Sequence, residues 1–170
     1  YQTYLADEYS LSARRIPSLM RRAGLGLLSL WPASDDKISL EYKAKRFLEG
    51  SLESAEAAHL YWNGTNSLDA KKRIAPGMAH RPAADLYRRL PGESGAAGQL
   101  NRHLWLDQLY YLPDDILYKC DRMSMAHSLE VRPPFLDHRI VEFAARVPER
   151  LKMHGGVLKL LLRELVRDKI

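Results

Sequence analysis

Apolar residues recur at every third or fourth position along almost the whole chain, and no sustained apolar–polar alternation replaces that pattern. A period near 3.6 gathers such residues on one side of a helix, whereas a half-buried strand needs a period of two. The chain is thereby restricted to packed helices, and the expected class is all-α. Prolines and glycines divide the pattern. Tyr1–Ala23 is helical, with Pro17 interrupting it and opening a second short helix. Gly24–Trp31 is a short apolar run closed by Pro32. A helix is predicted from about Ser39 to Glu49, ended by Gly50, and another over Ser54–Trp62, ended near Asn63-Gly64. Asn63-Gly64-Thr65 has the form of a glycosylation acceptor, but at that place it reads as a helix-ending turn. Ser67 is a candidate N-cap for a short helix over Ala70–Ile74. Ala75–Pro82 reads as a loop, Asp85–Leu90 as a short helix and Pro91–Gly98 as a surface loop.

From Leu100 onward the punctuation is denser. Leu100–Tyr110 is a helix, and Pro113 followed by Asp114 and Asp115 suits the start of a new one. Ile116, Cys120 and Met123 mark one face of that helix. It has to end before Glu130, because Pro133 and Pro134 disfavour helix in the residue before each. Asp137 can cap a further helix with Ile140, Val141, Ala144 and Val147 inward, stopped by Pro148. Leu151–His154 is short, and Gly155-Gly156 leads into a last helix with Leu158, Leu161, Leu162, Leu165 and Val166 apolar.

Composition narrows the function class. The chain is 46% hydrophobic and 28% charged, enough apolar material for a core. Its formal charge of +5 suits a solvated surface or an anionic small ligand, and no zinc-finger or RNP-like motif points to nucleic acid. The one cysteine, Cys120, excludes an internal disulfide and leans toward a reducing, cytoplasmic setting. No apolar run approaches the roughly 20 residues of a membrane span. The chain opens at Tyr1 without Met and stops at Ile170 inside a helical pattern, so residues 1–170 are expected to be a single partial domain of a longer polypeptide.

Three clusters could carry chemistry. In Gly155-Gly156-Val157-Leu158-Lys159, glycines before a helix would leave its first N–H groups open to an anion. Lys159 would fall in the first turn, where a cation opposes the helix dipole and makes sense beside an anion, with Arg163 one turn on. The same residues also read as a flexible turn before a solvated face. In Ser128–His138, SLEVRPPFLDH, Glu130 and Arg132 alternate on one side of an extended segment stiffened by two prolines. That stretch is either a fixed carboxylate or an ion pair plus a helix cap. Asp114-Asp115 could hold Mg²⁺, or could simply be helix-start acids with Lys119 at i+4 of Asp115. The histidines His103, His127, His138 and His154 have no metal-ligand spacing, so no resident metal is expected.

Tyr111–Asp137, YLPDDILYKCDRMSMAHSLEVRPPFLD, closely resembles the signature of the synthetase domain of glutamine-dependent asparagine synthetases. Gly156-Val157-Leu158-Lys159 and Leu162-Arg163 resemble that family's G-x-x-K-x-x-L-R pattern. The middle, KRFLEG…AAHLYWNGTNS, is similar to bacterial members. The resemblance covers most of the chain and is most specific in its last third. It implies the helical C-terminal portion of an α/β, adenine-nucleotide-hydrolase-like ATP-pyrophosphatase domain. The intact protein would have an N-terminal glutaminase domain supplying ammonia. Its synthetase domain would use ATP and Mg²⁺ to adenylate the aspartate side-chain carboxylate, and ammonia would displace AMP. The Ser-Gly-Gly-x-Asp-Ser pyrophosphate loop and the glutaminase nucleophile are not in this sequence, so the chain alone is expected to be inactive.

Residue by residue, Lys159 matches the family lysine held to stabilise phosphate charge, and Glu130 and Arg132 match an E-x-R-x-P motif near the substrate end. The resemblance therefore implies catalytic roles for Lys159 and Glu130. It implies nucleotide or substrate contacts for Tyr1, Arg132, Gly155, Gly156 and Arg163. Pro133 departs from the small aliphatic residue usual in that motif. Asp137 reads as a helix cap. Neither nucleic acid nor membrane is an expected partner, and the intact protein could be a homodimer. A relative acting on another carboxylate, such as a β-lactam-forming synthetase or a polysaccharide amidotransferase, is the first alternative. A non-catalytic helical interaction module is the second.

Overall fold

The structure, a computed structural model, describes residues 2–32, 39–64, 68–78 and 98–169. The chain forms two compact units, Tyr1–Gly92 and Glu93–Ile170. Tyr1, the polar stretch Ala33–Lys37, the Ser67 cap, the helix expected at Asp85–Leu90 and most of the surface loop after it lie outside the described residues.

The first unit holds α1 (Gln2–Ala13), α2 (Ser18–Ser29), α3 (Leu40–Ser51), α4 (Ala55–Asn63) and α5 (Leu68–Ile74). α2 packs on α3, α3 on α4, and α1 on both α3 and α4. Pro17 stands at the N-cap of α2, and its fixed φ of −51° feeds the first turn, as its place in the sequence predicts. α2 then runs through Gly24 and Gly26 to Ser29, so most of the apolar run Gly24–Trp31 belongs to this helix and is not a separate segment. Ser39 and Ser54 cap α3 and α4, their hydroxyls accepting from the N–H groups of Tyr42 at 3.1 Å and Ala57 at 3.2 Å.

Gly50 does not end α3; it lies inside it, one residue before the last. The indole of Trp62 occupies the space a side chain would take there. Trp62 Nε1 donates to the carbonyl of Arg46 at 3.0 Å, and its ring stacks on Phe47 with centroids 5.8 Å apart. Between α1 and α4 the centre is polar. The buried His59 places Nδ1 2.6 Å from Oδ2 of the buried Asp7, while its Nε2 lies 3.2 Å from the side-chain amide of Asn63. That amide can donate to Nε2, which leaves the Nδ1 proton for Asp7.

The second unit begins with α6 (Gln99–Leu109), a wide π-turn over Leu112–Leu117 and α7 (Tyr118–Met125). A 3₁₀ turn over Pro134–Leu136 precedes α8 (His138–Arg146) and the single turn α9 (Glu149–Lys152). A two-stranded hairpin of β1 (Met153–His154) and β2 (Val157–Leu158) then leads into α10 (Leu160–Val166). Met153 pairs with Leu158 and His154 with Val157, antiparallel. α6 ends at Leu109, Tyr110 leaves helical geometry at φ −123° and ψ −61°, and Pro113 stands in the first turn of the segment that restarts, as its place in the sequence predicts. The segment that follows is wider than an α-helix, and at its start the Asp114 N–H bonds the Tyr110 carbonyl at 3.0 Å.

The described residues are thus mostly helical, in keeping with the all-α expectation. Their buried apolar set is small: Ala58, Leu106 and Val147. Of the positions expected inward on α8, Val147 is buried and Val141 half-buried, but Ala144 is exposed and Ile140 is 41% exposed. α8 packs chiefly on the 3₁₀ turn just before it, which is too short to cover a whole helical face.

Candidate active site

The residues singled out by the sequence around Glu130 are aimed by the end of α7. Leu129 N–H bonds the Ser124 carbonyl and Ser128 N–H the Met125 carbonyl, each at 3.0 Å, with Ser128 at φ +58°. This is a Schellman closure with serine at the left-handed position that glycine usually takes. It turns the chain out of the helix, and Glu130–Pro133 follows without regular structure, with Pro133 in an extended conformation. Arg132 Nη2 and Glu130 Oε1 lie 2.7 Å apart on one side of that segment. Their side chains are 84% and 68% exposed, so the pair is open to solvent and to a ligand, and salt weakens it.

Asp137 is fully engaged as a cap. Its Oδ1 accepts from the backbone N–H and the Nε of Arg139, both at 2.9 Å, and Oδ2 accepts from Nη2 at 2.8 Å. These bonds hold its carboxyl below the usual range, so it stays a carboxylate and has no proton to give. The acidic pair near Pro113 resolves toward its structural reading, because Asp115 binds Lys119 at 2.5 Å across one turn.

Gly155-Gly156 does not open a helix. With φ of +56° and +79°, the two glycines form the tight turn of the hairpin. Consecutive positive φ values match the twist of paired strands, and only glycine adopts them without strain. α10 therefore begins at Leu160, and Lys159 stands at its N-cap, not in its first turn. Lys159 itself is left-handed, at φ +56° and ψ +39°. A lysine in that conformation carries backbone strain that glycine would not. Arg163 N–H bonds the Lys159 carbonyl at 2.9 Å and its Nε bonds the Leu158 carbonyl at 3.0 Å. Part of the guanidinium is thus spent on closing the junction of hairpin and helix.

The second unit carries Glu130, Arg132, Gly155, Gly156, Lys159 and Arg163 together, yet Glu130 is paired with Arg132 and not with Lys159. One group of residues here was not singled out by the sequence. Glu149 Oε1 accepts from the Asn101 N–H at 2.7 Å, and Lys152 Nζ donates to Asn101 Oδ1 at 2.6 Å. Burial pushes the Lys152 ammonium down from its usual value. After Pro148, Glu149 reads as a local helix-start acid, and no spacing links it to a residue so far back in the chain.

The sequence profile of the asparagine synthase family matches residues 3–170. The chain belongs to the asparagine synthase family. Among its asparagine synthetase relatives, Bacillus subtilis asparagine synthetase (glutamine-hydrolyzing) 1 is 36% identical over 93 residues, 55% of this chain and 14% of the relative. Bacillus subtilis asparagine synthetase (glutamine-hydrolyzing) 3 is 39% identical over 85 residues, 48% of this chain and 14% of the relative. The chicken (Gallus gallus) enzyme is 36% identical over 83 residues, 48% of this chain and again 14% of the relative. The match therefore spans a small part of the length of these asparagine synthetases. No solved structure matches the chain. No helix among the described residues of this asparagine synthase chain is long and apolar enough to cross a membrane.

Proposed function

We propose that this chain supplies the helical C-terminal part of a synthetase domain that adenylates the side-chain carboxylate of aspartate and converts it to asparagine. In this reading the carboxylate attacks the α-phosphorus of ATP and releases pyrophosphate. Ammonia from glutamine, delivered by a glutaminase domain, then attacks the acyl carbon and releases AMP. The observation that carries the reading is Lys159, held in a strained left-handed conformation directly after the Gly-Gly hairpin, at the position matching the family lysine. A cation fixed there acts where negative charge develops on the phosphates, worth about 10²–10³ in rate for one such group. A Cβ at Gly155 would meet nothing within 4 Å, so that side of the turn is open. Glu130 and Arg132 are assigned to the substrate side, and Arg163 to the junction behind the lysine, where its Nε bonds the Leu158 carbonyl.

Magnesium enters this scheme with the nucleotide's own phosphates, as is usual for Mg²⁺. Of the acidic pair Asp114-Asp115, Asp115 is engaged by Lys119. The soluble substrates of this scheme and the single cysteine, Cys120, support a cytoplasmic setting for the intact enzyme.

Aspartate-dependent ATP–pyrophosphate exchange by the full-length polypeptide tests the reading. Lys159→Ala is expected to lower exchange by about 10²-fold or more. Undiminished exchange in that variant refutes the role of Lys159. The 170-residue chain alone is expected to show no exchange, since it holds no pyrophosphate loop. Replacing aspartate by other carboxylic acids in the same assay identifies the acceptor.

A further inference from the structure

We propose that Glu149 is a positioning residue for the Lys159 hairpin, acting by tying α9 to the start of α6. α9 is a single turn, Glu149–Lys152, and a helix that short does not hold itself in place. It runs without a linker into β1, and the hairpin alone separates Lys152 from Lys159. Whatever fixes α9 therefore fixes the base of the hairpin.

Two bonds from α9 converge on one residue of α6. Glu149 Oε1 takes the backbone N–H of Asn101, one of the N–H groups at a helix start that have no partner within the helix. Lys152 Nζ takes the side-chain oxygen of the same asparagine. The clamp is thus a pair of charge-assisted hydrogen bonds, one of each sign, from the two ends of one helical turn onto Asn101. The approach is close because Gly98 makes it possible. At φ +105°, a Cβ on residue 98 would lie 2.5 Å from the carboxyl carbon of Glu149. Gly98 therefore serves the clamp twice, through its backbone conformation and through its missing side chain. On the other side, Arg163 closes the hairpin onto α10, so Lys159 sits between two anchored ends.

This inference rests on the proposed role of Lys159, and a double-mutant cycle separates the two. The rate measured is ATP–pyrophosphate exchange by the full-length polypeptide, with thermal melting of each variant alongside. Glu149→Ala is expected to lower kcat about 10-fold with little change in KM for ATP, since a small misplacement of a charge-stabilising group acts on the transition state. Glu149→Gln, whose amide oxygen still accepts the Asn101 N–H, is expected to stay within about 2-fold of the parent. In a Lys159→Ala background, Glu149→Ala is expected to cause no further loss. An equal loss in both backgrounds overturns the proposal, as does an unaffected kcat in Glu149→Ala when Lys159→Ala is severe. If Lys159→Ala itself leaves exchange intact, the reading beneath the proposal fails and the proposal with it. Should Glu149→Ala not fold, Lys152→Met, which keeps the helix cap and removes the second bond, goes through the same cycle with the same expected and contrary outcomes.

Discussion

Trp62 lies against the bare backbone of Gly50, close enough that a Cβ on residue 50 would stand 2.5 Å from the indole Cε2. By helix propensity alone, alanine at this interior position of α3 would stabilise by about 1 kcal/mol. The indole reverses the sign. Because Trp62 is held by its bond to Arg46 and its stack on Phe47, it cannot swing aside freely. Gly50→Ala is expected to destabilise by about 1–3 kcal/mol in urea denaturation, the range for overpacking. A neutral or stabilising result would mean the α3–α4 contact is looser than described.

Ser128 offers the opposite case. Its left-handed backbone closes α7, and nothing in that conformation needs a side chain. Ser128→Gly is expected to raise stability by about 1 kcal/mol while leaving the Glu130–Arg132 segment in place. A lower melting temperature would contradict the Schellman closure.

Lys159 shares that conformation but is proposed to need its ammonium. Lys159→Gly should therefore separate the two properties. The variant is expected to gain about 1 kcal/mol of stability from relief of the backbone and to lose nearly all pyrophosphate exchange in the full-length polypeptide. Loss of both stability and exchange would show that the residue is structural first.

Tyr61 predicts an alkaline limit for the first unit. Burial, followed by its hydrogen bond to Glu49, pushes the phenol from 10.0 up to about 12. A raised folded value means the associated stability is complete below pH 10 and is lost as pH rises toward 12. The phenolate absorbance of the parent minus that of Tyr61→Phe is expected to titrate late, near pH 12. A difference curve centred near 10 would place the phenol in open solvent.

Asp137 predicts an acid limit in the second unit. Its folded value is depressed, chiefly by the Arg139 guanidinium, below the ordinary 3.8. The cap's contribution is therefore present above about pH 4 and lost only as pH falls through the depressed value. Amide exchange at the start of α8 is expected to stay slow at pH 4, whereas in Asp137→Ala it should be fast at every pH. Equal protection in parent and variant would remove Asp137 from the capping role.

How much of this was legible depended on distance along the chain. Helix starts at Ser39, Ser54 and Asp137, the start at Pro17 and the end of α7 before Glu130 all follow from neighbours within a few residues. Local sterics and local hydrogen bonds decide them, so the order of residues is enough. The helix start expected at Gly155-Gly156 and the helix end expected at Gly50 both failed, because a glycine fits a hairpin turn, a helix end or a close contact equally well. Pairing of Met153 with Leu158 decided the first. At Pro113 the break and restart were legible in the proline and the two acids after it, but the π-width of the new segment was not.

By its sequence alone, this chain determined its helical class, its family and the residue types available at its candidate site, because period and motif are properties of order. The tertiary structure alone decided that Asp7 meets His59, that Trp62 excludes a side chain from Gly50, and that Glu149 closes a helix begun far upstream. Such contacts join groups distant in sequence. They form only when the folded packing offsets the entropy lost in closing the chain between them, and no local pattern encodes which distant partner will be met.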